Sequence, residues 1–393
     1  MKLTFCYRHI APYHRAQLTA VSQAGYEVTV LSYDNFSGAA FAQQVALSRS
    51  FRIINIHGPE GAWYVLHQAL EESAPDVILF PGWGHAYGLA ALAWGVRRKV
   101  PCVAISDSQQ HDYRRFWWQE QAKRRIIRLF SAGFVAGKRS YEYLTNLSVP
   151  PNQIVTGCDI VDNEHFSRGA REAREADSFL RKQLGLPGRF FLAVNRLILE
   201  KNVHAILAAY AAYRTKGAPG NWNLVIVGDG PLRDELLEYA HTLKIEAFVC
   251  FASSQTYDAM PRYYALASAL ILASVQEPWG LVVNEAMACG IPVIVSERCG
   301  CSPDLVHDGK NGFIFPPDDI NRLAELMAGL AKDRYDITAM GRQSREIIDS
   351  WSLKRYVESL KAVLPIARTA SPRTLSWVDD QILSLSIAWL RGR

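Results

Sequence analysis

Residues 274–296 read SVQEPWGLVVNEAMACGIPVIVS, and this stretch decides the fold more than any other. It follows an apolar run that ends at Ala273, and its loop leads into a short helix that Gly290 and Pro292 end. Another apolar run, residues 293–296, follows at once. A strand, a helix and a second strand in this order predict a parallel sheet covered by helices.

Short apolar runs followed by helix-like segments recur in two series along the chain. The first series comprises residues 2–7, 28–31, 77–80, 100–106 and 134–136. The second follows a polar, charged stretch and comprises residues 190–194, 224–227, 249–251, 269–272, 293–296 and 312–315. We therefore predict an α/β fold of two tandem Rossmann-like domains, residues 1–165 and 166–365, which face each other across a ligand cleft. Residues 366–393 are predicted to form a helical tail, and one interpretation is that this tail packs on the first domain.

Composition and charge indicate an ordinary globular protein that does not need a nucleic-acid partner. The 393 residues include 43 basic and 38 acidic side chains, which gives a net charge of +5, and 49% of them are hydrophobic. This mild positive charge permits an anionic ligand. The seven cysteines contain no Cys-x-x-Cys pair, so a zinc knuckle has no support, and buried thiols in a reducing cytosol are expected.

Two segments bear on the location of the protein, the N-terminus and residues 77–96. The N-terminus, MKLTFCYRH, lacks the long apolar centre of a signal peptide. Residues 77–96 carry no charged side chain, but Pro81, Gly84 and Gly88 interrupt them. This pattern favours a strand, a turn and a helix over a membrane span. We therefore expect a cytoplasmic protein.

Two glutamates lie where parallel-sheet proteins bind ligands: Glu277 is in the loop, and Glu285 is eight positions later in the short helix. The amides of Gly280 and Leu281 open this helix, and together with the helix dipole they can receive phosphate. Carboxylates accept hydrogen bonds from vicinal hydroxyls, such as those of a sugar or a ribose. The alternative is that both glutamates are solvated surface residues.

Basic and glycine-rich loops follow the first two strands of the second series. Arg196 and Lys201 come after the first of these strands, and two fixed cations are what a leaving diphosphate needs when no metal neutralises it. Gly228 and Gly230 come after the next strand, and glycines let the backbone approach a ligand. The alternatives are solvated basic side chains and an ordinary tight turn.

The order of these motifs resembles the retaining glycosyltransferases of family 4, which have the GT-B fold and use nucleotide-sugar donors. The resemblance covers about residues 150–365 and includes the string ACGIPVIVS at residues 288–296. Asn195 is a departure, because the family usually has glycine before the arginine of this loop.

The resemblance implies roles for the site residues. Arg196 and Lys201 would bind the donor diphosphate. Glu277 would hold hydroxyls of the donor sugar, Glu285 would hold the ribose, and the loop at Ser253 would frame the base. Arg196, Lys201 and Glu277 are therefore the catalytic candidates.

The resemblance also implies an activity, the transfer of a sugar from a nucleotide-diphosphate sugar to a hydroxyl acceptor with retention of anomeric configuration. The acceptor would be a glycan, a lipid-linked saccharide or a small molecule, as in polysaccharide biosynthesis. No Asp-x-Asp pair lies in a predicted strand-end loop, so we expect no metal and no other cofactor. Another GT-B enzyme, such as a nucleotide-sugar epimerase or a phosphorylase, is the alternative. A dinucleotide-binding oxidoreductase is disfavoured because no G-x-G-x-x-G follows a strand.

Three polar residues of the first half, His14, His85 and Asp107, are candidates for contacts with the acceptor. They lie in loops or near helix starts that follow predicted strands. Each has an alternative role as a turn or capping residue.

Residues 112–130 read DYRRFWWQEQAKRRIIRLF. From Arg114 to Arg128 they carry six basic side chains and one acidic side chain, Glu120. At about 100° per residue, one helix face is apolar; it consists of Phe116, Ile126, Ile127 and Phe130. A basic amphipathic helix with tryptophans can lie on an anionic membrane surface. Peripheral attachment at the inner face of the membrane is one interpretation, and a domain helix with a solvated charged face is the alternative.

Overall fold

The computed structural model of the protein describes residues 1–33, 50–56, 62–112, 116–215 and 221–391. It contains two compact units, which are Met1–Ile160 together with Leu353–Arg393, and Val161–Ser352. Each unit is a parallel sheet, and among the described residues helices connect most of the successive strands. This confirms the predicted α/β fold with two Rossmann-like domains.

The strands of the first unit are β1 (Lys2–Tyr7), β2 (Glu27–Ser32), β3 (Arg52–Asn55), β4 (Val77–Pro81), β5 (Cys102–Ser106), β6 (Ala132–Val135) and β7 (Ile154–Thr156). They pair in parallel in the order β3-β2-β1-β4-β5-β6-β7. The helices are α1 (Pro12–Gln23), α2 (Ala62–Ser73), α3 (Ala86–Arg98), α4 (Trp117–Ile127) and α5 (Lys138–Asn146). The central strands are buried almost throughout, as expected for a parallel sheet with helices on its faces.

The strands of the second unit are β8 (Phe190–Val194), β9 (Asn223–Val227), β10 (Val249–Ala252), β11 (Ala269–Leu272), β12 (Val293–Ser296) and β13 (Gly312–Phe315). They pair in parallel in the order β10-β9-β8-β11-β12-β13. The helices are α6 (Asn163–Glu175), α7 (Asp177–Leu184), α8 (Val203–Thr215), α9 (Arg233–Thr242), α10 (Met260–Leu266), α11 (Leu281–Ala288), α12 (Ser302–Leu305), α13 (Ile320–Ala331) and α14 (Ile337–Asp349).

The chain returns to the first unit through two further helices, α15 (Leu353–Thr369) and α16 (Trp377–Arg391). Helix α15 packs against β6, β7 and α1 and buries Tyr356 and Leu360, while α16 packs against α3 and α4. Residues 353–365, which the sequence analysis assigned to the second domain, therefore lie in the first unit, because their apolar face covers its sheet.

The sequence predicts a helix over residues 349–364, because apolar residues recur at helical spacing from Trp351 to Leu360. However, Trp351 lies in the turn between α14 and α15. Its ring contacts Trp279 instead, with the ring centres 5.1 Å apart. The helical spacing of the residues that follow holds, because Leu353 begins α15 and Tyr356 and Leu360 are buried one turn apart.

Residues 77–96 form β4, a turn and the first residues of α3, which is the predicted strand, turn and helix. Gly82 has a φ of 43° in this turn, a conformation that glycine adopts at little cost. Within the described ranges, no helix combines the length and the apolar composition needed to cross a membrane.

Candidate functional site

The sheet of the second unit brings the loops after β8 and β11 together. These strands are neighbours, while β9 continues the sheet on one side and β12 on the other. In parallel sheets, ligands bind at the carboxyl ends of the strands where the strand order reverses in this way. Arg196 and Lys201 follow β8, and Glu277 follows β11, so three predicted site residues lie at this edge.

Lys201 and Glu277 form an ion pair that joins the two loops. The Ser274 hydroxyl donates to the same carboxylate over 3.1 Å, and the Val275 amide donates to the Glu200 carbonyl over 2.9 Å. The side chains of Lys201 and Glu277 are only 19% and 12% exposed. The predicted cation and the predicted carboxylate are therefore held together, in a partly desolvated setting where their interaction is stronger than in water.

Asn195 and Arg196 stand side by side at the end of β8 but in opposite environments. Arg196 is exposed, and its side chain forms no ion pair with the described residues, so its charge is available to a ligand. Asn195 is 7% exposed, and within the described part of the chain neither its amide nitrogen nor its amide oxygen has a hydrogen-bond partner. A buried amide without partners costs roughly 1–3 kcal/mol, which makes Asn195 an unusual feature of this loop.

Gly228 and Gly230 let the loop after β9 pack against the loop after β8. A Cβ on Gly228 would lie 1.8 Å from the Asn195 carbonyl oxygen, and one on Gly230 would lie 2.4 Å from that of Leu197. Both glycines are therefore required sterically where the two loops pack together. Their predicted contact with the donor stays a prediction.

Asp229 fixes the next loop, which contains Ser253. Its carboxylate accepts a hydrogen bond from the Ser254 amide over 2.7 Å, and this bond is the main reason that the pKa of Asp229 lies below its usual range. Arg233 also approaches this carboxylate, at 3.5 Å. Ser253 itself is exposed at the carboxyl end of β10.

The start of α11 has no side-chain cap. Its N-cap, Gly280, has a φ of 107° and provides no side-chain acceptor for the first amides of the helix. The loop before it is tightly held, because the Gly300 amide donates to the Glu277 carbonyl over 2.9 Å. The unmatched amides that begin at Leu281, together with the helix dipole, favour an anion.

Glu285 has a partner that the sequence analysis missed. The Tyr264 hydroxyl, buried on α10, donates to the Glu285 carboxylate over 2.6 Å. Burial raises the pKa of Glu285 to about 7, and the bond from Tyr264 opposes this rise. Only a pair of adjacent tyrosines, at 263 and 264 on an apolar helix, marked this position in the sequence.

In the first unit, His14 has the capping role that was its alternative interpretation. Its Nδ1 accepts a hydrogen bond from the Ala11 amide over 3.0 Å, and its ring stacks on Tyr7 with centres 4.1 Å apart. Burial, with the nearby His9, lowers the pKa of His14 to about 3. The ring is therefore neutral at pH 7, and because Nδ1 accepts, Nε2 carries the proton.

Asp107 and His85 occupy exposed or partly exposed positions at strand ends. Asp107 follows β5, and His85 is the N-cap of α3, where its side chain makes no capping bond. Asp159, which sequence reasoning missed, lies near Asp107. Burial and the Asp107 charge raise the pKa of Asp159 well above its usual range. Two carboxylates thus influence each other at the carboxyl edge of the first sheet.

The structure describes only part of the predicted basic segment. Helix α4 begins at Trp117. Phe116, predicted on the apolar face of this helix, precedes it and is 46% exposed. Trp117 and Trp118 are exposed, whereas Ile126 and Ile127 are buried as expected. Arg114 and Arg115 lie outside the described residues.

Carboxylates neutralise part of the basic charge of α4. Arg125 pairs with Asp379 of α16 at 3.2 Å, and Lys123 pairs with Glu120 at 2.9 Å. Helix α16 adds its own exposed apolar side chains next to α4, among them Trp377 and Trp389.

Among the described residues, no group of three or more His, Cys, Asp or Glu side chains is arranged to hold a metal ion.

Two family profiles match the chain. The family described as "Glycosyl transferases group 1" matches residues 177–347, and the "Glycosyl transferase 4-like domain" matches residues 10–157. The first match contains Lys201, Glu277 and Glu285.

Curated relatives match about half of the chain. The N-acetyl-alpha-D-glucosaminyl L-malate synthase of Bacillus anthracis is 30% identical over 208 residues, which are 52% of this chain and 51% of the relative. The GDP-mannose-dependent alpha-(1-6)-phosphatidylinositol monomannoside mannosyltransferase of Mycobacterium tuberculosis is 31% identical over 196 residues, which are 47% and 49%. The matched chain therefore spans about half the length of these relatives.

A solved structure matches nearly the whole chain. The Anabaena protein HepE, in complex with UDP and glucose, has a TM-score of 0.74 at 16% identity, with 93% of this chain and 100% of that protein covered. At this identity the likeness shows the fold alone, the GT-B type with two Rossmann-like domains.

Proposed function

We propose that this chain, which belongs to the group 1 glycosyl transferases and carries a glycosyl transferase 4-like domain, transfers a sugar from a nucleotide-diphosphate sugar to a hydroxyl acceptor. The observation that carries the proposal is the ion pair of Lys201 and Glu277 at the edge where β8 and β11 end. It holds a cation for a diphosphate and a carboxylate for sugar hydroxyls within reach of one ligand.

The leaving diphosphate is stabilised by positive charge from three sources. Arg196 is exposed and unpaired among the described residues, Lys201 is held by Glu277, and the amides that start at Leu281 have no side-chain cap. Negative charge grows on the diphosphate as the bond to the anomeric carbon breaks, so these groups bind the transition state more tightly than the ground state. This arrangement supports catalysis without a metal ion.

The nucleoside lies at Glu285 and the β10 loop. Glu285 accepts hydrogen bonds from the ribose hydroxyls, oriented by Tyr264, and the loop at Ser253 frames the base. The Anabaena structure contains UDP, and the mycobacterial relative is named for GDP-mannose, so both nucleotides are tested below.

The reaction retains the anomeric configuration in this scheme. The acceptor hydroxyl attacks from the face that the diphosphate leaves, and the departing phosphate oxygen takes its proton. The new glycosidic bond forms as the sugar–phosphate bond breaks, so no protein base is needed. NMR of the anomeric proton in the product tests retention, and an inverted product would refute this scheme.

Arg196→Ala and Lys201→Ala test the assignment, and Arg196→Ala is the cleaner variant because it breaks no ion pair. Loss of one such group typically costs about 2.7–4 kcal/mol, or about 10²–10³ in turnover. Lys310→Ala is the matched control, since it removes an exposed cation of the same unit. Turnover within about threefold of wild type in both Arg196→Ala and Lys201→Ala would refute the assignment.

The alternative activities, epimerase and phosphorylase, are separated by their products. The protein is incubated with UDP- and GDP-sugars alone, with the same donors and hydroxyl acceptors, and with glycosides and inorganic phosphate. A transferase releases nucleoside diphosphate in proportion to a glycoside, whereas an epimerase yields a second nucleotide sugar, and a phosphorylase forms a sugar phosphate from a glycoside and phosphate.

The first unit binds the acceptor, a glycan, lipid-linked saccharide or small molecule, near His14 and Asp107. For a lipid-linked acceptor, α4 and α16 would lie on an anionic membrane at the inner face, with Trp117 and Trp389 in the interfacial zone. Cosedimentation with anionic and neutral vesicles at low and high salt tests this, because such binding weakens with salt. If wild-type protein ignores anionic vesicles at low salt, the acceptor is soluble.

A further inference from the structure

A cavity of about 600 Å³ opens at the amino ends of the strands in the second unit, the edge of the sheet opposite the candidate site. Its lining includes Arg189, Ser268 and Pro292, which immediately precede β8, β11 and β12, respectively. This volume is within the usual range for small-molecule sites. The cavity is thus separate from the loops that carry Lys201 and Glu277.

The cavity is lined by many more positive than negative side chains. Its charged lining consists of Arg171, Arg174, Arg181, Arg189 and Arg345, with Glu175 as its one acidic member. Three of these arginines pair with carboxylates: Arg171 with Glu164 at 3.6 Å, Arg181 with Asp177 at 2.8 Å, and Arg189 with Asp333 at 3.4 Å. The excess of positive charge that remains favours an anion in this space.

The side chain of Arg181, which lines the cavity, is held in place by three hydrogen-bond partners. Its guanidinium bonds to the Asp177 carboxylate at 2.8 Å and donates to the carbonyl oxygens of Pro187 and Leu266, at 2.5 and 3.0 Å. A guanidinium fixed on three sides loses little entropy when it binds a ligand.

Arg174 and Arg345 converge on the turn in which α11 ends. Arg174 donates to the Cys289 carbonyl over 2.7 Å. The Nε of Arg345 lies 2.8 Å from where a Cβ on Gly290 would be. Neither arginine forms an ion pair with a carboxylate of the described residues. Burial lowers the pKa of Arg174, Cys289 opposes this, and the nearby positive charge of Arg345 lowers it further.

We propose that this cavity is a second binding site, for a small anion that carries two or more phosphate charges. Planar guanidinium groups bind phosphate oxygens in bidentate fashion, and two of those present have no carboxylate to compete with a ligand. The site stands independently of the transferase activity, because none of its residues belongs to the donor site. A soluble phosphate compound and a phospholipid headgroup share this chemistry.

The test is calorimetric titration with pyrophosphate, on protein that carries Arg196→Ala and Lys201→Ala so that the donor site lacks its cations. In this background we expect one pyrophosphate per chain, and Arg345→Gln should weaken binding by about tenfold or more. Arg342→Gln is the matched control, because it removes an exposed charge three residues away on α14, outside the cavity lining. It should change the affinity by less than about twofold.

A second arm uses vesicles of phosphatidylcholine with phosphatidic acid. If the protein binds the vesicles but not pyrophosphate, and Arg345→Gln abolishes vesicle binding while Arg342→Gln leaves it intact, the bound phosphate belongs to a lipid headgroup. Equal losses in the two variants would show unspecific attraction to net charge and overturn the proposal. An absence of binding in both arms would overturn it as well. Circular dichroism of both variants excludes unfolding, and Arg171→Gln provides a second lining variant.

Discussion

Replacement of Tyr264 by phenylalanine should shift the pH at which the protein binds nucleoside diphosphate. Glu285 must be ionised to accept both ribose hydroxyls, and its pKa in the unliganded protein is about 7. The carboxylate is therefore ionised in about one tenth of molecules at pH 6 and in about nine tenths at pH 8. Wild-type affinity should accordingly fall by about tenfold from pH 8 to pH 6.

The substitution removes the hydroxyl that donates to the Glu285 carboxylate over 2.6 Å. A hydrogen bond to a charged group contributes about 1.5–3 kcal/mol, which corresponds to a pKa higher by about one to two units. The affinity of Tyr264→Phe at pH 7 should be about five- to fiftyfold lower than that of wild type, and it should recover to within about twofold at pH 9.

Calorimetric titration with UDP and with GDP from pH 6 to pH 9 measures this shift. Tyr263→Phe is the matched control, because it removes the adjacent hydroxyl on α10, which forms no bond to Glu285. If Tyr264→Phe and Tyr263→Phe show the same pH midpoint as wild type, Tyr264 does not position Glu285. If wild-type affinity is also flat from pH 6 to pH 8, the ribose role of Glu285 is refuted.

Four other outcomes follow from the site. Glu285→Gln should raise the free energy of unfolding, measured by urea denaturation, by about 2–3 kcal/mol at pH 8 and hardly at all at pH 4. The reason is that a carboxyl group with a raised pKa contributes stability at low pH, and this contribution is lost as the pH rises from about 4.5 through 7. Glu285→Ala should weaken binding of the bare diphosphate product, whereas Glu277→Ala should leave that binding nearly intact and lower turnover of the full donor; equal losses of product affinity would contradict the division of roles. Gly228→Ala should cost about 1–3 kcal/mol of stability because its Cβ meets the Asn195 carbonyl, and an unchanged urea midpoint would show that the two loops separate freely. Treatment with EDTA should leave turnover unchanged, and a loss that manganese or magnesium restores would reveal a metal requirement.

The strands were predictable because their apolar runs are long enough to be buried on both faces. Every run predicted as a strand forms one, with ends shifted by at most two residues. The sequence analysis missed β3 and β7, which have four and three residues at the two edges of the first sheet. Edge strands are covered on fewer sides, so their apolar pattern is weak.

The candidate site was predictable as a set of residues but not as a set of contacts. The loop motifs identify Lys201 and Glu277, yet nothing in one sequence says that side chains 76 positions apart form an ion pair. Tyr264 was not predicted as a site residue, because an aromatic residue on an apolar helix usually belongs to the core. The sequence also could not predict that residues 353–365 belong to the first unit. Their amphipathic pattern fits either sheet, so only the tertiary packing decides between the two.

The return of the chain to the first unit sets the order in which the two units can mature during synthesis. Residues 161–352 are continuous, so the second unit has its whole chain before α15 has left the ribosome. The first unit begins earlier but ends later, because the surface covered by Tyr356 and Leu360 stays bare until α15 is made. The half of the protein that is translated first is therefore the half that completes its core last.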